Sequence, residues 1–199
     1  MSALPTVPLA MTEAEYLAFE RASASKHEYL NGEVFDMTGA SEAHNLICGS
    51  TLFLLYGQLR GRPCKVYPAD MRVKVRPTGL YTYPDISVVC SEAEFGNDQL
   101  DTLLNPMLII EVLSPSTERY DRGKKFQHYR ELAALREYVL IAQDSPRIER
   151  YWRQDDDIWQ FTDAKGLDAS IELTSIGCTL TLAEVYEQIT FSGTDATDG

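Results

Sequence analysis

The apolar positions change period several times along the chain, and each change marks an element. Thr12 and Glu15 form a capping box, and the spacing beyond them predicts a short helix over roughly 13–22. "HEYLNGEVFDM" then alternates apolar and polar residues on either side of Asn31-Gly32, the strongest short hairpin signal. Ser41 caps a second helix through "NLICGSTLFLLYGQL". "CKVYPADMRVKVRP" and "PDISVVC" read as strands separated by a "PTGLYTY" turn, and an acidic loop follows from Ser91 to Asn105. "MLIIEVL" is a continuous apolar run of strand length, which predicts a fully buried strand. Helical spacing resumes from about Asp121 to Leu135. "EYVLIAQ" is the next strand, "RIERYWRQ" and "DIWQFTD" continue as a meander, and a short helix lies near Leu182 to Gln188.

This order is mixed: an N-terminal helix and hairpin, then helix, strands, helix, strands. It predicts an α/β (α+β) fold, a mixed β-sheet flanked by helices with a C-terminal β-meander, and not a regular doubly wound repeat. The 199 residues suit one domain, placed at 12–191, with a flexible N-terminus over 1–11 and a disordered tail, "SGTDATDG", over 192–199.

Composition narrows the setting. No apolar run approaches the ~20 residues of a membrane span, and the N-terminus lacks the basic and apolar regions of a signal peptide. Cys48, Cys64, Cys90 and Cys178 are scattered without a CxxC pair, so they read as reduced core thiols and the expected location is cytoplasmic. A net charge of −12 argues against generic nucleic-acid binding through bulk electrostatics. The charge is uneven, however: 60–76 carries Arg60, Arg62, Lys65, Arg72, Lys74 and Arg76 against Asp70 alone, and 119–130 adds Arg119, Arg122, Lys124, Lys125 and Arg130. Such segments suit either a solvated face or one that meets a polyanion, and charge alone does not choose.

The chemistry concentrates in "IIEVLSPSTERYDRGKKFQHYR". Glu111 stands among Ile109, Ile110, Val112 and Leu113, where an ionised carboxylate is costly unless a cation or hydrogen bonds offset it. Asp85 opens the strand "ISVVC" after Tyr83-Pro84, and if the two strands are neighbours both carboxylates meet at one sheet edge. Paired acids need a cation, and hard oxygen donors without a His/Cys cluster suit Mg²⁺ or Mn²⁺. Helical phase separates the lysines. With Phe126, Tyr129, Leu132 and Ala133 as the apolar side, Lys125 lies roughly 50° from its centre and Lys124 roughly 150°. Lys125 is therefore expected beside the carboxylates and Lys124 in solvent; a purely structural Lys125–Glu111 pair is the bland alternative. Glu33, after the Asn-Gly turn, and His44, in the first turn of the second helix, are further candidates to line the site. Ser114, Ser116 and Thr117 suit a loop and cap role, or hydrogen bonds to a phosphate.

"YPDISVV", "IIEVLSPST", "YDRGKKFQHYR" and "EYVLIAQ", in that order after "YLNGEVFDM", resemble the Uma-two family of restriction endonucleases, formerly a domain of unknown function, within the PD-(D/E)xK nuclease superfamily. The resemblance covers about 12–159 and implies a restriction-endonuclease-like core with a divalent metal, Mg²⁺ or Mn²⁺, at the acids. It implies Asp85 and Glu111 as metal ligands, and both with Lys125 as catalytic residues. The pattern's lysine position, two residues after the acid, holds Leu113, and the resemblance suggests that the lysine has moved to the following helix as Lys125. The expected activity is metal-dependent hydrolysis of nucleic-acid phosphodiesters, with DNA as partner and a homodimer as a compatible assembly. The alternatives are a nuclease-fold module that binds nucleic acid or a protein without cutting, and an oligomer built through Tyr151, Trp152 and Trp159.

Overall fold

The computed structural model describes residues 10–37, 39–96 and 98–191. The tail expected at 192–199 and residues 1–9 of the expected flexible N-terminus lie outside the described residues. Met11, at the end of that segment, is tied down: its N–H donates to the Gly32 carbonyl and its own carbonyl accepts the Tyr29 hydroxyl.

Helix α1 (Glu13–Ala22) opens with the reciprocal Thr12–Glu15 capping box. Strands β1 (His27–Leu30) and β2 (Glu33–Asp36) close as a hairpin through Asn31 and Gly32, both at positive φ (50° and 97°) as a primed turn requires. Helix α2 (Glu42–Leu59) starts at Ser41, whose hydroxyl accepts from the His44 N–H.

The "CKVYPADMRVKVRP" segment does not stay in one sheet. It breaks at Ala69–Asp70 into β3 (Lys65–Pro68) and β4 (Arg72–Val75), and the predicted "PTGLYTY" turn contains a strand, β5 (Leu80–Thr82). The true turn is shorter, closing at Gly79 with φ 75° and an N–H donated to the Val75 carbonyl. Strand β6 (Ile86–Val89) follows, then a two-residue strand β7 (Thr102–Leu103) in the acidic loop, then β8 (Leu108–Val112).

The helix predicted to Leu135 is shorter and irregular. It comprises α3 (Glu118–Tyr120), a π-helical turn (Asp121–Lys125) and α4 (Phe126–Tyr129). Beyond Arg130 the chain makes tight turns whose carbonyls, those of Arg130, Leu132 and Leu135, accept from the Arg153 guanidinium. The chain ends with β9 (Glu137–Ile141), the meander β10 (Arg147–Arg153) and β11 (Trp159–Lys165), the hairpin β12 (Ser170–Leu173) and β13 (Cys178–Thr181), and α5 (Leu182–Val185).

A six-stranded mixed sheet, ordered β11-β10-β9-β8-β6-β3, forms the centre, with β8 parallel to β9 and antiparallel to β6. A five-stranded sheet, β2-β1-β5-β4-β7, and the two-stranded β12-β13 complete the fold. Strand alternation splits β8 between two cores. Leu108, Ile110 and Val112 pack with α2, α5 and β12-β13, whereas Ile109 and Leu113 pack with Tyr129, Leu132 and the β4-β5 residues Val73, Val75 and Leu80. Tyr151 and Trp159 pack against this second core, so the meander aromatics considered as an interface are partly spent internally.

The cysteine reading needs correction. Cys64 and Cys90 form a disulfide, and only Cys48 and Cys178 are free thiols. The cause is register: β3 and β6 pair Lys65 with Val89, so the flanking cysteines face each other across the ladder, which their separation in sequence conceals. No helix of the described residues is long and apolar enough to cross a membrane.

Candidate nuclease site

Strand register brings the two predicted carboxylates to one place. Ile86 pairs with Ile110, so Asp85 comes opposite Glu111 at the end of the β6-β8 ladder. Asp85 Oδ2 accepts the Val112 N–H at 2.7 Å, and His44 Nε2 lies 3.1 Å from the same oxygen. Glu111 Oε1 accepts the Tyr129 hydroxyl at 2.8 Å and sits 2.9 Å from Lys125 Nζ. These partners engage Asp85 Oδ2 and Glu111 Oε1, so both carboxylates are anchored through one named oxygen at the same end of the ladder.

Lys125 is buried and Lys124 exposed. The lysine is held by more than Glu111: Glu28 Oε1 lies 3.3 Å and Asp121 Oδ1 3.5 Å from its ammonium. The π turn contributes here. Asp121 and Lys125 are its first and last residues, and both point inward from it. Wide helical turns of this kind recur at functional sites. Helical spacing in the sequence identified Lys125; nothing in the spacing marked Asp121.

Glu33 stays outside the cluster. It is exposed at the turn end of the hairpin, paired with Leu30, while the hairpin carboxylate that enters the cluster is Glu28. Glu28 also accepts the Thr82 hydroxyl from the neighbouring β5. With His27 and Tyr29 buried on one face of β1, Glu28 emerges on the other, toward β8 and the helix.

His44 does approach the site, through Asp85. Its Nδ1 lies 3.6 Å from Cys48 Sγ, so His44, Cys48 and Asp85 gather potential ligand atoms within 4.8 Å of one another. Burial, then the charges of Asp85 and Glu111, push the Cys48 thiol up, which keeps it protonated. Without a bound metal, a thiolate nucleophile is therefore disfavoured here.

Electrostatics in the pocket follow from burial. Glu111 is pushed up to about 8, first by desolvation, against the pull of Lys125, with Asp85 and Asp121 adding repulsion. Asp121 is raised for the same leading reason. Lys125 is raised well above the ordinary lysine value because Glu111, Tyr129, Glu28 and Asp121 together outweigh its desolvation. The cluster is a buried network rich in carboxylates, with three around one ammonium and Asp85 beside them.

The basic segments divide. Arg72 is buried against Tyr83 and Thr102 and pairs with Asp101, and Lys74 pairs with Glu13, so 60–76 is not one polyanion-facing surface. On the site's own helical segment Arg119, Lys124 and Arg130 are exposed, whereas Arg122 is engaged by Glu118 and Glu149.

The chain thus combines a mixed central sheet flanked by helices with two acids at adjacent strands and a lysine on the following helical segment. The chain belongs to the Uma2 family, described as "Putative restriction endonuclease", which matches residues 13–183. Two relatives from Synechocystis sp. are each 35% identical: "Uncharacterized protein slr1290" over 188 residues, 94% of this chain and 97% of the relative, and "Uncharacterized protein sll1609" over 164 residues, 82% and 93%. Among solved structures, a "putative nuclease belonging to DUF820" from Anabaena variabilis shares the fold with a TM-score of 0.71 at 18% identity, covering 89% of this chain and 98% of that one.

Proposed function

We propose that this protein is a metal-dependent endonuclease that hydrolyses phosphodiester bonds in DNA, with Asp85 and Glu111 as ligands for Mg²⁺ or Mn²⁺ and Lys125 as the electrostatic partner. The observation that carries this reading is the pairing of Asp85 and Glu111 across the β6-β8 ladder, which sets two carboxylates side by side with Lys125 against one of them. The donor set fits a hard cation. Two carboxylates on rigid strands offer oxygen ligands, and a buried carboxyl pushed up to about 8 is one whose ionised form lacks sufficient positive charge nearby. When bound, the ion supplies positive charge that polarises a phosphoryl oxygen and acidifies water.

The chain's own residues do the rest. Tyr129 and Lys125 fix Glu111 Oε1. Glu28 and Asp121 hold the Lys125 ammonium in place, where it can neutralise charge developing on a phosphate. Exposed Arg119 and Lys124 flank this segment and suit contacts to backbone phosphates, which position a strand without reading its sequence.

The test is cleavage of DNA and RNA substrates with Mg²⁺ or Mn²⁺, alongside calorimetric metal binding. Asp85→Ala and Glu111→Ala should each abolish both metal binding and cleavage. If both variants cut at the parental rate, the assignment fails. A non-cutting binding module is the second reading, favoured by Leu113 at the usual lysine position and by the three carboxylates already occupying Lys125. Nucleic-acid binding without metal-dependent cleavage would select it.

A further inference from the structure

The outer face of α2 is unlike the rest of the surface. Phe53 is 78% exposed and Tyr56 53%, the two most prominent aromatics on one helix. At about 100° per residue, Glu42, Asn45, Leu46, Gly49, Phe53, Tyr56, Gly57 and Arg60 form one stripe, turned away from the buried side of Ile47, Thr51, Leu55 and Leu59. His44 and Cys48 lie toward that buried side, so the stripe is remote from the candidate nuclease site.

Three features of the stripe point to the same occupant. Gly49 and Gly57 are open notches: a Cβ built at either meets nothing within 4 Å. Charge is segregated along the helix. The groove at one end of Phe53 carries Glu184 and Glu187, the groove at the other end Arg60 and Arg62, and Glu42 adds an acid to the first turn. The order of residues is also self-complementary about Thr51. Turning a second α2 antiparallel about that point sets Phe53 at the level of Gly49, the Tyr56/Gly57 layer at that of Asn45/Leu46, and Arg60 at that of Glu42. Phe53 meets the Gly49 notch, Tyr56 meets Leu46, Gly57 meets Asn45, and each charged end meets its opposite. Notches of this kind allow helices to approach toward the ~8 Å lower end of ordinary interaxial distances.

We infer that this face is an antiparallel two-fold interface with a second copy of the chain, its axis crossing the exposed stripe between Gly49 and Phe53. A self-complementary patch is what an isologous dimer requires, because each residue must suit the one it meets by symmetry. The charge pattern disfavours a parallel arrangement, in which Glu42 would meet Glu42 and Arg60 would meet Arg60.

Sedimentation velocity over a range of protein concentrations tests the inference, with circular dichroism confirming the fold of each variant. The parent should be dimeric. Phe53→Glu should weaken the dimer roughly tenfold or more, as expected for a central aromatic anchor. Phe53→Ser, milder on the fold, should act in the same direction. Glu42→Arg and Arg60→Glu should each weaken it by roughly threefold or more through like-charge contacts, and the double reversal should restore parental affinity. A parent that stays monomeric at all concentrations, or a dimer indifferent to both Phe53 variants, overturns the interface. Single reversals that weaken without restoration in the double overturn its antiparallel register.

Discussion

Glu111 is costly to keep ionised inside the second core, and its neighbours respond differently to that cost. Lys125 attracts the charge, Tyr129 donates to it, and Asp85 and Asp121 repel it. The sign of the pH effect follows. Its carboxyl rises from 4.5 to about 8, so between those values the folded chain holds a proton that the unfolded chain has released. Stability attributable to Glu111 should therefore fall as pH rises through that window. Lys125 stays protonated across it and adds no slope. In metal-free urea melts Glu111→Gln should gain on the parent from pH 5 to 8, and Mg²⁺ at pH 8 should stabilise the parent but not the variant. A constant difference would show that Glu111 does not titrate there. The pair itself makes a second expectation. Lys125→Met should cost roughly 3–5 kcal/mol by stranding buried carboxylates, while Lys125→Met with Glu111→Gln should recover most of that in the same melts. These two residues were legible in the sequence because each violated its surroundings: a carboxylate in an apolar strand, and a lysine on the apolar side of a helix. Glu28 was not, since an acid in a short hairpin strand is ordinary until its neighbours His27 and Tyr29 are known to be buried.

At the scale of elements, local signals with a chemical cause were readable, and those set by tertiary context were not. The capping box of α1, the Asn31-Gly32 turn and the Ser41 cap are written in a few adjacent residues. The splitting of β3 from β4, the strand inside "PTGLYTY" and the Cys64–Cys90 bridge depend on which sheet each segment joins. The helix after β8 shows the same limit. Its apolar phase continues to Leu132 and Leu135, but regular helix stops at Tyr129 because the carbonyls beyond it are taken by Arg153 from β10. Arg153→Met should therefore cost roughly 1–3 kcal/mol in equilibrium unfolding, the range for leaving such groups without a charged donor. Its effect on metal binding should be small, because the proposed carboxylate ligands lie on β8 and before β6.

The whole molecule carries a net charge of −12, yet its proposed substrate is a polyanion. Two features reconcile these. Much of the acidity sits away from the site, in the loop at 91–105 and along the C-terminal third, while the helical segment bearing Lys125 exposes Arg119, Lys124 and Arg130. The site's own acids are buried around Lys125, so their charge is partly neutralised before a phosphate arrives. The chain should then bind nucleic acid weakly and through a few contacts, with a shallow dependence on salt. Arg119→Glu with Lys124→Glu tests this. Neither residue belongs to the proposed metal site, so metal affinity should stay at the parental value. Binding of a DNA duplex, measured by fluorescence anisotropy in Ca²⁺ to suppress cutting, should weaken roughly tenfold or more at low salt, and the salt slope should become shallower by roughly two contacts. Single-turnover cleavage at saturating protein should fall far less than binding, because these side chains position the backbone and do not touch the reacting atoms. Parental binding by the double variant would move the substrate path off this helix.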